Sequence, residues 1–420
     1  MEAADPSPEL HLHRWTDPAI VTLAAFTAAA GFSQFGVVAA LGDVARSFGQ
    51  VGDGGSLADQ AGLSGTAIGV GLAVIRLTSL LALPLAAAAD RVGRRVALRW
   101  CAAIGLTLTA LVALSPTYAV FVVVFALGRP FMSATDTVAG VAASEQTATR
   151  DRARALSLVA AAYGVGAGLV AILRGVAGDA LGFRAVLALA LLPLVAVLWL
   201  GRHVAETDRF RVAARAGDRV VPVLGAVAAP FRGRLAVLVT ILFAISLVTG
   251  PANSFLFVYA ENVLDLSSTA TAAMVAGAGV AGLTGLLLGR AGADHLGRRP
   301  TVAMAVVIVP LAGALTYSGS VPAAVAGYLV AVMTGAAFLP AMGALQAELF
   351  PTSVRAAVAG WLLAASVVGA FTGLLLFGLV SDAGDRFAVG AVIVFLPTTV
   401  AALLVALVPE TRGRELEDAA

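Results

Sequence analysis

Twelve times along its 420 residues the chain turns apolar for about the length of a membrane crossing. The runs fall near 18–40, 63–89, 96–114, 117–142, 154–177, 185–201, 235–260, 269–290, 300–318, 322–346, 355–380 and 387–408. A spanning helix needs roughly 20 apolar residues, and only the sixth run falls clearly short of that. Lipid offers no water to a backbone N–H or C=O, so each run must satisfy its own hydrogen bonds as a helix. The pattern therefore predicts an all-α integral membrane protein. Hydrophobic residues make up 60% of the chain and charged ones 12%, against about 25% charged in a soluble domain.

The arginines orient the spans. All 27 basic residues are Arg. With a cytoplasmic N-terminus, 21 of them fall on the inner side. Arg46, Arg184 and Arg386 fall outside, and Arg76, Arg129 and Arg174 lie within spans. That bias fits the positive-inside rule and places both termini in the cytoplasm. An Arg-only, alanine-rich chain also fits GC-rich bacterial coding, hence an inner membrane. Net charge is only +2, which gives no reason to expect a nucleic-acid partner. No signal peptide precedes the first run. The lone Cys101 lies in an apolar run, so an internal disulfide is impossible.

Charged landmarks repeat at half the chain length. DRVGRR at Asp90 returns around Asp294, 204 residues on. Glu145 and Arg152 return as Glu348 and Arg355, offset by 203, and Glu206 returns as Glu410, offset by 204. Recurring identities at one offset argue for duplication of a six-helix unit. The expected organisation is a tail over 1–17, a six-helix bundle over 18–201 and a cytoplasmic loop over 202–234. A second bundle follows over 235–408, with a tail over 409–420. The fold class is then twelve transmembrane helices in two pseudo-symmetric bundles.

The DRVGRR turn, its second copy, AELFPTSVRA and the terminal PETRGRELED together resemble the major facilitator superfamily, and within it the sugar-porter and metabolite–proton symporter group. The likeness covers nearly the whole chain. It implies a secondary transporter whose halves rock about a central site, with no cofactor, no metal and no enzymatic role. It also implies gating by the cytoplasmic motifs. In the first half these are Asp90, Arg91, Gly93, Arg94, Arg95, Glu145 and Arg152. Their second-half counterparts are Asp294, Gly297, Arg298, Arg299, Glu348 and Arg355, with Glu410 and Arg412 beyond. Exposed ion pairs are worth about 0–1 kcal/mol each, so such a latch has to act as a network. The same Arg could equally serve only to set topology.

Ionisable groups inside spans are functional candidates by default. Asp136 is the one carboxylate placed well within a span, and Arg129 lies two turns earlier on the same face. Asp136 is the candidate proton site, with Arg129 resembling an arginine linked to coupling in the family; the alternative is a structural partner for Arg129 or for the inner gate. Arg76 and Arg129 leave surplus positive charge in the first half, which a carboxylate ligand could meet. Alternatively, Arg76 pairs with Asp136 or faces an aqueous crevice. Arg174, near an outer helix end, can snorkel to water. Since helices one, four, seven and ten line the cavity in the family, Gln34, Asn253, Phe257, Tyr259, Thr334 and Phe338 join Arg76 and Arg129 as candidate substrate contacts.

The expected activity is proton-coupled uptake of a small organic anion or related metabolite by a monomer in the lipid bilayer. Efflux of hydrophobic compounds and sugar uptake are the alternatives. Gln34 and Asn253 stand where sugar porters carry other signatures, which argues against sugar.

Overall fold

The computed structural model describes residues 13–50, 56–177, 182–202, 204, 206, 225 and 227–412. The end segments of both tails and most of the 202–234 loop lie outside these. Among the described residues, twelve helices have the length and hydropathy to cross a membrane. They run Pro18–Ala39, Gly65–Val92, Arg94–Val112, Tyr118–Gln146, Arg154–Val176 and Phe183–Leu200 in the first half. In the second they run Ala229–Ser254, Ser268–His295, Arg298–Thr316, Val321–Leu349, Ala357–Ala383 and Phe387–Leu407.

Proline explains most irregularities. The second span tightens to a 3₁₀ turn over Ser79–Leu81, where Pro84 has no N–H to give the preceding turn. The twelfth turns 3₁₀ from Leu396 onward, with Pro397 inside that stretch. The seventh span departs furthest from its expected bounds. It begins at Ala229, with Pro230 in its first turn, a favoured place for proline. It stops at Ser254, and the chain continues as a short turn and a π-helical turn over Tyr259–Val263. Phe257 and Tyr259 therefore leave the span they were assigned to.

The two halves repeat one packing scheme. The first span lies along the fifth as the seventh lies along the eleventh, and the third lies along the fourth as the ninth along the tenth. Between halves, the second span packs on the eleventh and the fifth on the eighth. The first of these seams is a backbone contact. A Cβ at Gly69 would stand 2.6 Å from the Leu374 carbonyl oxygen, and one at Gly378 would overlap the carbonyl of Gly65. Small residues of this kind let membrane helices approach closely.

Hydrogen bonds between the halves, among the described residues, cluster at the end opposite the arginine-rich turns. Asp382 accepts from the N–H groups of Gly65 and Thr66 at 2.7 Å each, at the start of the second span. Asp385 accepts from Leu57 N–H at 2.6 Å. Thr269 donates to the Gly175 carbonyl at 2.7 Å. Carboxylates at a helix start answer its free N–H groups and positive dipole. The arginine-poor end is thus sealed by paired polar groups as well as by glycine contacts.

Candidate substrate cavity and the charge clusters around it

A cavity of about 250 Å³ lies between the halves, under that seal. Its first-half wall carries Gln34, Arg76 and Arg129, and its second-half wall carries Ser246, Thr249, Asn253, Ser254 and Ser366. Of the candidate substrate contacts, Gln34, Arg76, Arg129 and Asn253 come together here. The tenth span supplies no lining residue, so Thr334 and Phe338 stand off the wall, Phe338 packed in the core. In its place the second and eleventh spans contribute, because they form the seam above the cavity.

The two guanidinium groups have little to hold them. Arg129 Nε donates to Ser79 Oγ at 3.3 Å. The Arg76 Nε is buried without a hydrogen-bond partner. Neither arginine forms an ion pair among the described residues, and their charges repel one another. Asp136 is partly buried on the same helix as Arg129, yet no ion pair joins it to Arg129 or Arg76. Tyr163 of the fifth span stands in electrostatic reach of Arg76, Arg129 and Asp136, with its hydroxyl 3.5 Å from Gln34 Oε1. Sequence reasoning missed Tyr163 and Ser79, since neither is charged and nothing in their local pattern separates them from helix-packing residues.

Across the cavity the wall is neutral. Ser246 and Ser366 hydroxyls share a hydrogen bond of 2.9 Å. Asn253 donates through its amide nitrogen to the Thr249 carbonyl at 2.8 Å and accepts from the Tyr328 hydroxyl at 3.3 Å. A side-chain amide has two N–H donors, so one remains for a ligand.

Above the cavity, Arg174 overturns its expected role. It does not snorkel to water: it is 2% exposed and grips Glu261, itself 3% exposed, through two hydrogen bonds, Nη2–Oε2 at 2.5 Å. Asp43 adds a second carboxylate at 3.1 Å. Arg46 donates to the Glu261 carbonyl at 2.7 Å, and Asn262 donates to the carbonyls of Gly42 and Ala61. Phe257 belongs to this cluster, stacked edge-on against Phe35 and beneath the Arg174 guanidinium. Burial pushes the Glu261 carboxyl upward, and the Arg174 bonds oppose it; the net direction is up. Tyr259 lies further out, its hydroxyl accepting from Gly319 N–H at 2.8 Å and its ring packed on Tyr317. The signal for this cluster was an Arg at one helix end and a Glu 87 residues later, a separation with no local meaning.

At the opposite end the repeat is realised as two matching networks. Arg94 pairs with Asp90 and, at 3.0 Å, with Glu145. Arg298 pairs with Asp294 at 3.7 Å and with Glu348 at 3.1 Å. Glu206 accepts from the backbone N–H of Arg94 at 2.8 Å and Arg95 at 3.2 Å. Glu410 accepts from Arg298 and Arg299 N–H, each at 3.0 Å. Both turns pivot on glycine, with φ of 99° at Gly93 and 118° at Gly297, a region that L residues avoid. Arg355 donates to the Phe350 carbonyl rather than to Glu348, and Arg412 adds a backbone N–H to Glu410. The Arg152 Nε is buried without a partner, and among the described residues no hydrogen bond or ion pair joins the Arg91 side chain to the network.

A family model described as Major Facilitator Superfamily matches residues 21–308. A second, described as Sugar (and other) transporter, matches residues 232–420. No curated protein matches the chain. Among solved structures, the inward-open conformation of the xylose transporter XylE from E. coli is 18% identical, with a TM-score of 0.70, covering 95% of this chain and 98% of its own. A mutant of the nucleoside transporter NupG is 13% identical at a TM-score of 0.73, covering 93% and 98%. The human organic anion transporter MFSD10 is 17% identical at 0.65, also covering 93% and 98%. At these identities the likeness is one of fold.

Proposed function

Because the chain belongs to the major facilitator superfamily, a family of membrane transporters, we propose that it takes up a small organic anion together with protons, by alternating access across a bacterial inner membrane. One observation carries the choice of an anion. Arg76 and Arg129 face a central cavity with no carboxylate paired to either among the described residues. Unpaired charge away from water is costly, and an anionic ligand supplies the missing partner, an arginine fork matching a carboxylate bidentately.

The arginine-rich end faces the cytoplasm, following the positive-inside rule. The sealed end is then the outer one, and the conformation is inward-facing. The networks at Arg94 and Arg298 stiffen the inner ends of each half as it rocks. Asp136 loads the proton: it sits in the fourth span, partly buried, and Tyr163 interacts electrostatically with it and with both cavity arginines. Asn253 and Gln34 orient the ligand.

The test is binding followed by flux. Purified protein in detergent is screened by thermal shift against carboxylates, sugars and hydrophobic cations. A ligand at a hundred times its dissociation constant adds about 2.7 kcal/mol. Stabilisation by carboxylates supports the reading; stabilisation by sugars or hydrophobic cations alone refutes it. In vesicles, Asp136→Asn abolishes proton-driven accumulation of the carboxylate so identified while leaving its counterflow exchange intact. Unchanged accumulation removes Asp136 from coupling.

A further inference from the structure

Charge accounting at the cavity narrows the ligand further, provided the anion reading above holds. Elsewhere, three arginines with side chains at most 16% exposed each receive two carboxylates. Arg174 has both Glu261 and Asp43, Arg94 has Asp90 and Glu145, and Arg298 has Asp294 and Glu348. Arg76 and Arg129 break that habit together. Their shared cavity has no acidic residue among its described lining, and the polar groups on its second-half wall are hydroxyls and one amide, set among Gly250, Ala370 and Leu374. Asp136 is not among the lining residues.

We propose that the transported species is a compact organic dianion, two carboxylates or one phosphate monoester, whose two negative charges neutralise Arg76 and Arg129 jointly while its neutral oxygens meet Asn253 and the Ser246–Ser366 pair. A monoanion satisfies one guanidinium and leaves the other a desolvated, repelled charge. A dianion removes both penalties at once. Arg129 is already steadied by Ser79, whereas the Arg76 Nε is buried without a hydrogen-bond partner, so Arg76 is the group that reads the second charge. Size agrees. At about 250 Å³ the cavity lies just below the roughly 300–1,000 Å³ of drug-sized pockets, which suits a metabolite of a few carbons. The spare amide N–H of Asn253 then favours a diacid bearing a hydroxyl or carbonyl between its acid groups.

Isothermal titration at pH 7.5 compares succinate, malate and glycerol 3-phosphate with butyrate, a monoanion of succinate's chain length, and with xylose as a neutral probe. The dianions are expected to bind at least about tenfold tighter than butyrate, the scale of one additional charge-assisted contact. Preference for succinate and malate assigns the ligand to diacids, and preference for glycerol 3-phosphate to phosphate esters; both support the inference. Arg76→Gln should collapse the dianion preference to about unity while leaving butyrate within a few-fold. Arg76→Lys, which retains the charge, should keep most of it. Butyrate binding as tightly as succinate, or Arg76→Gln weakening both alike, overturns the dianion assignment and leaves the anion reading intact. Binding of xylose with no anion binding removes both.

Discussion

Arg174 and the Arg76–Arg129 pair are the same side chain in two opposite situations. Arg174 is almost wholly buried where the halves meet, and the protein brings two carboxylates to it, one from each half. Arg76 and Arg129 line a cavity between the same halves and receive none. A desolvated ion pair holds only while its partners stay together, and removing one partner of a buried pair costs about 3–5 kcal/mol. The first arrangement therefore fixes geometry. The second leaves the counter-charge to whatever enters. One is a clasp between the halves, the other a pair of cationic side chains lining the cavity between them, and a transporter that rocks has use for both.

The sharpest way to break this contrast is to remove the clasp. Glu261→Gln leaves Arg174 with Asp43, which lies in its own half, and withdraws the only carboxylate the other half offers it among the described residues. The sealed end is expected to open, shifting the closed-to-open ratio by about a hundredfold or more if most of the buried-pair energy is lost. Spin labels at Gln60→Cys and Ala270→Cys, both exposed and on opposite halves, report the separation. A distance distribution identical to the parent's would mean that glycine packing between the second and eleventh spans seals that end without help from the ion pair.

A smaller effect is expected at the other arginines. Arg129→Gln removes a charge-assisted hydrogen-bonding partner worth about 1.5–3 kcal/mol. Carboxylates should lose roughly tenfold or more in affinity, and neutral analogues of the same shape should change little. Equal losses for both would make Arg129 a structural residue like Arg174 and erase the distinction between the two sites. Folded stability offers a cross-check. Unpaired cavity arginines add little to it, so the Arg129→Gln protein should melt near the parent temperature while Glu261→Gln does not.

What could be read from the sequence divides along the same line. The twelve spans, the two-fold repeat and the family follow from hydropathy and from residues that recur near an offset of 204, because bilayer thickness and duplication impose regular lengths. The cavity candidates Gln34, Arg76, Arg129 and Asn253 were legible since ionisable and polar groups inside an apolar span are conspicuous. The Arg174–Glu261–Asp43 cluster was not. Its members sit at span ends, where charge is ordinary, and only the docking of one half on the other turns them into a buried group. Phe257 and Tyr259 went astray for a related reason: the seventh span ends at Ser254, and nothing in a continuous apolar run marks where a helix gives way to a π turn.

The mildest of these tests concerns the end where partly buried arginines are abundantly paired. Glu410 accepts from four backbone N–H groups, those of Arg298, Arg299, Thr411 and Arg412. Burial alone would raise its carboxyl, but those four donors outweigh it and hold it below the ordinary glutamate range. A depressed folded value means that the ionised form stabilises the fold above the unfolded value, near 4.3. That contribution is lost as pH falls through the lowered folded value. Glu410→Gln, whose amide oxygen still accepts but carries no charge, should cost about 0.5–2 kcal/mol, the worth of a helix cap. The difference in melting temperature between variant and parent should narrow below about pH 4, where the parent's carboxylate is itself neutralised. A gap that stays constant with pH would show that Glu410 acts by shape alone, and its partner Glu206 on Arg94 and Arg95 would then be expected to do the same.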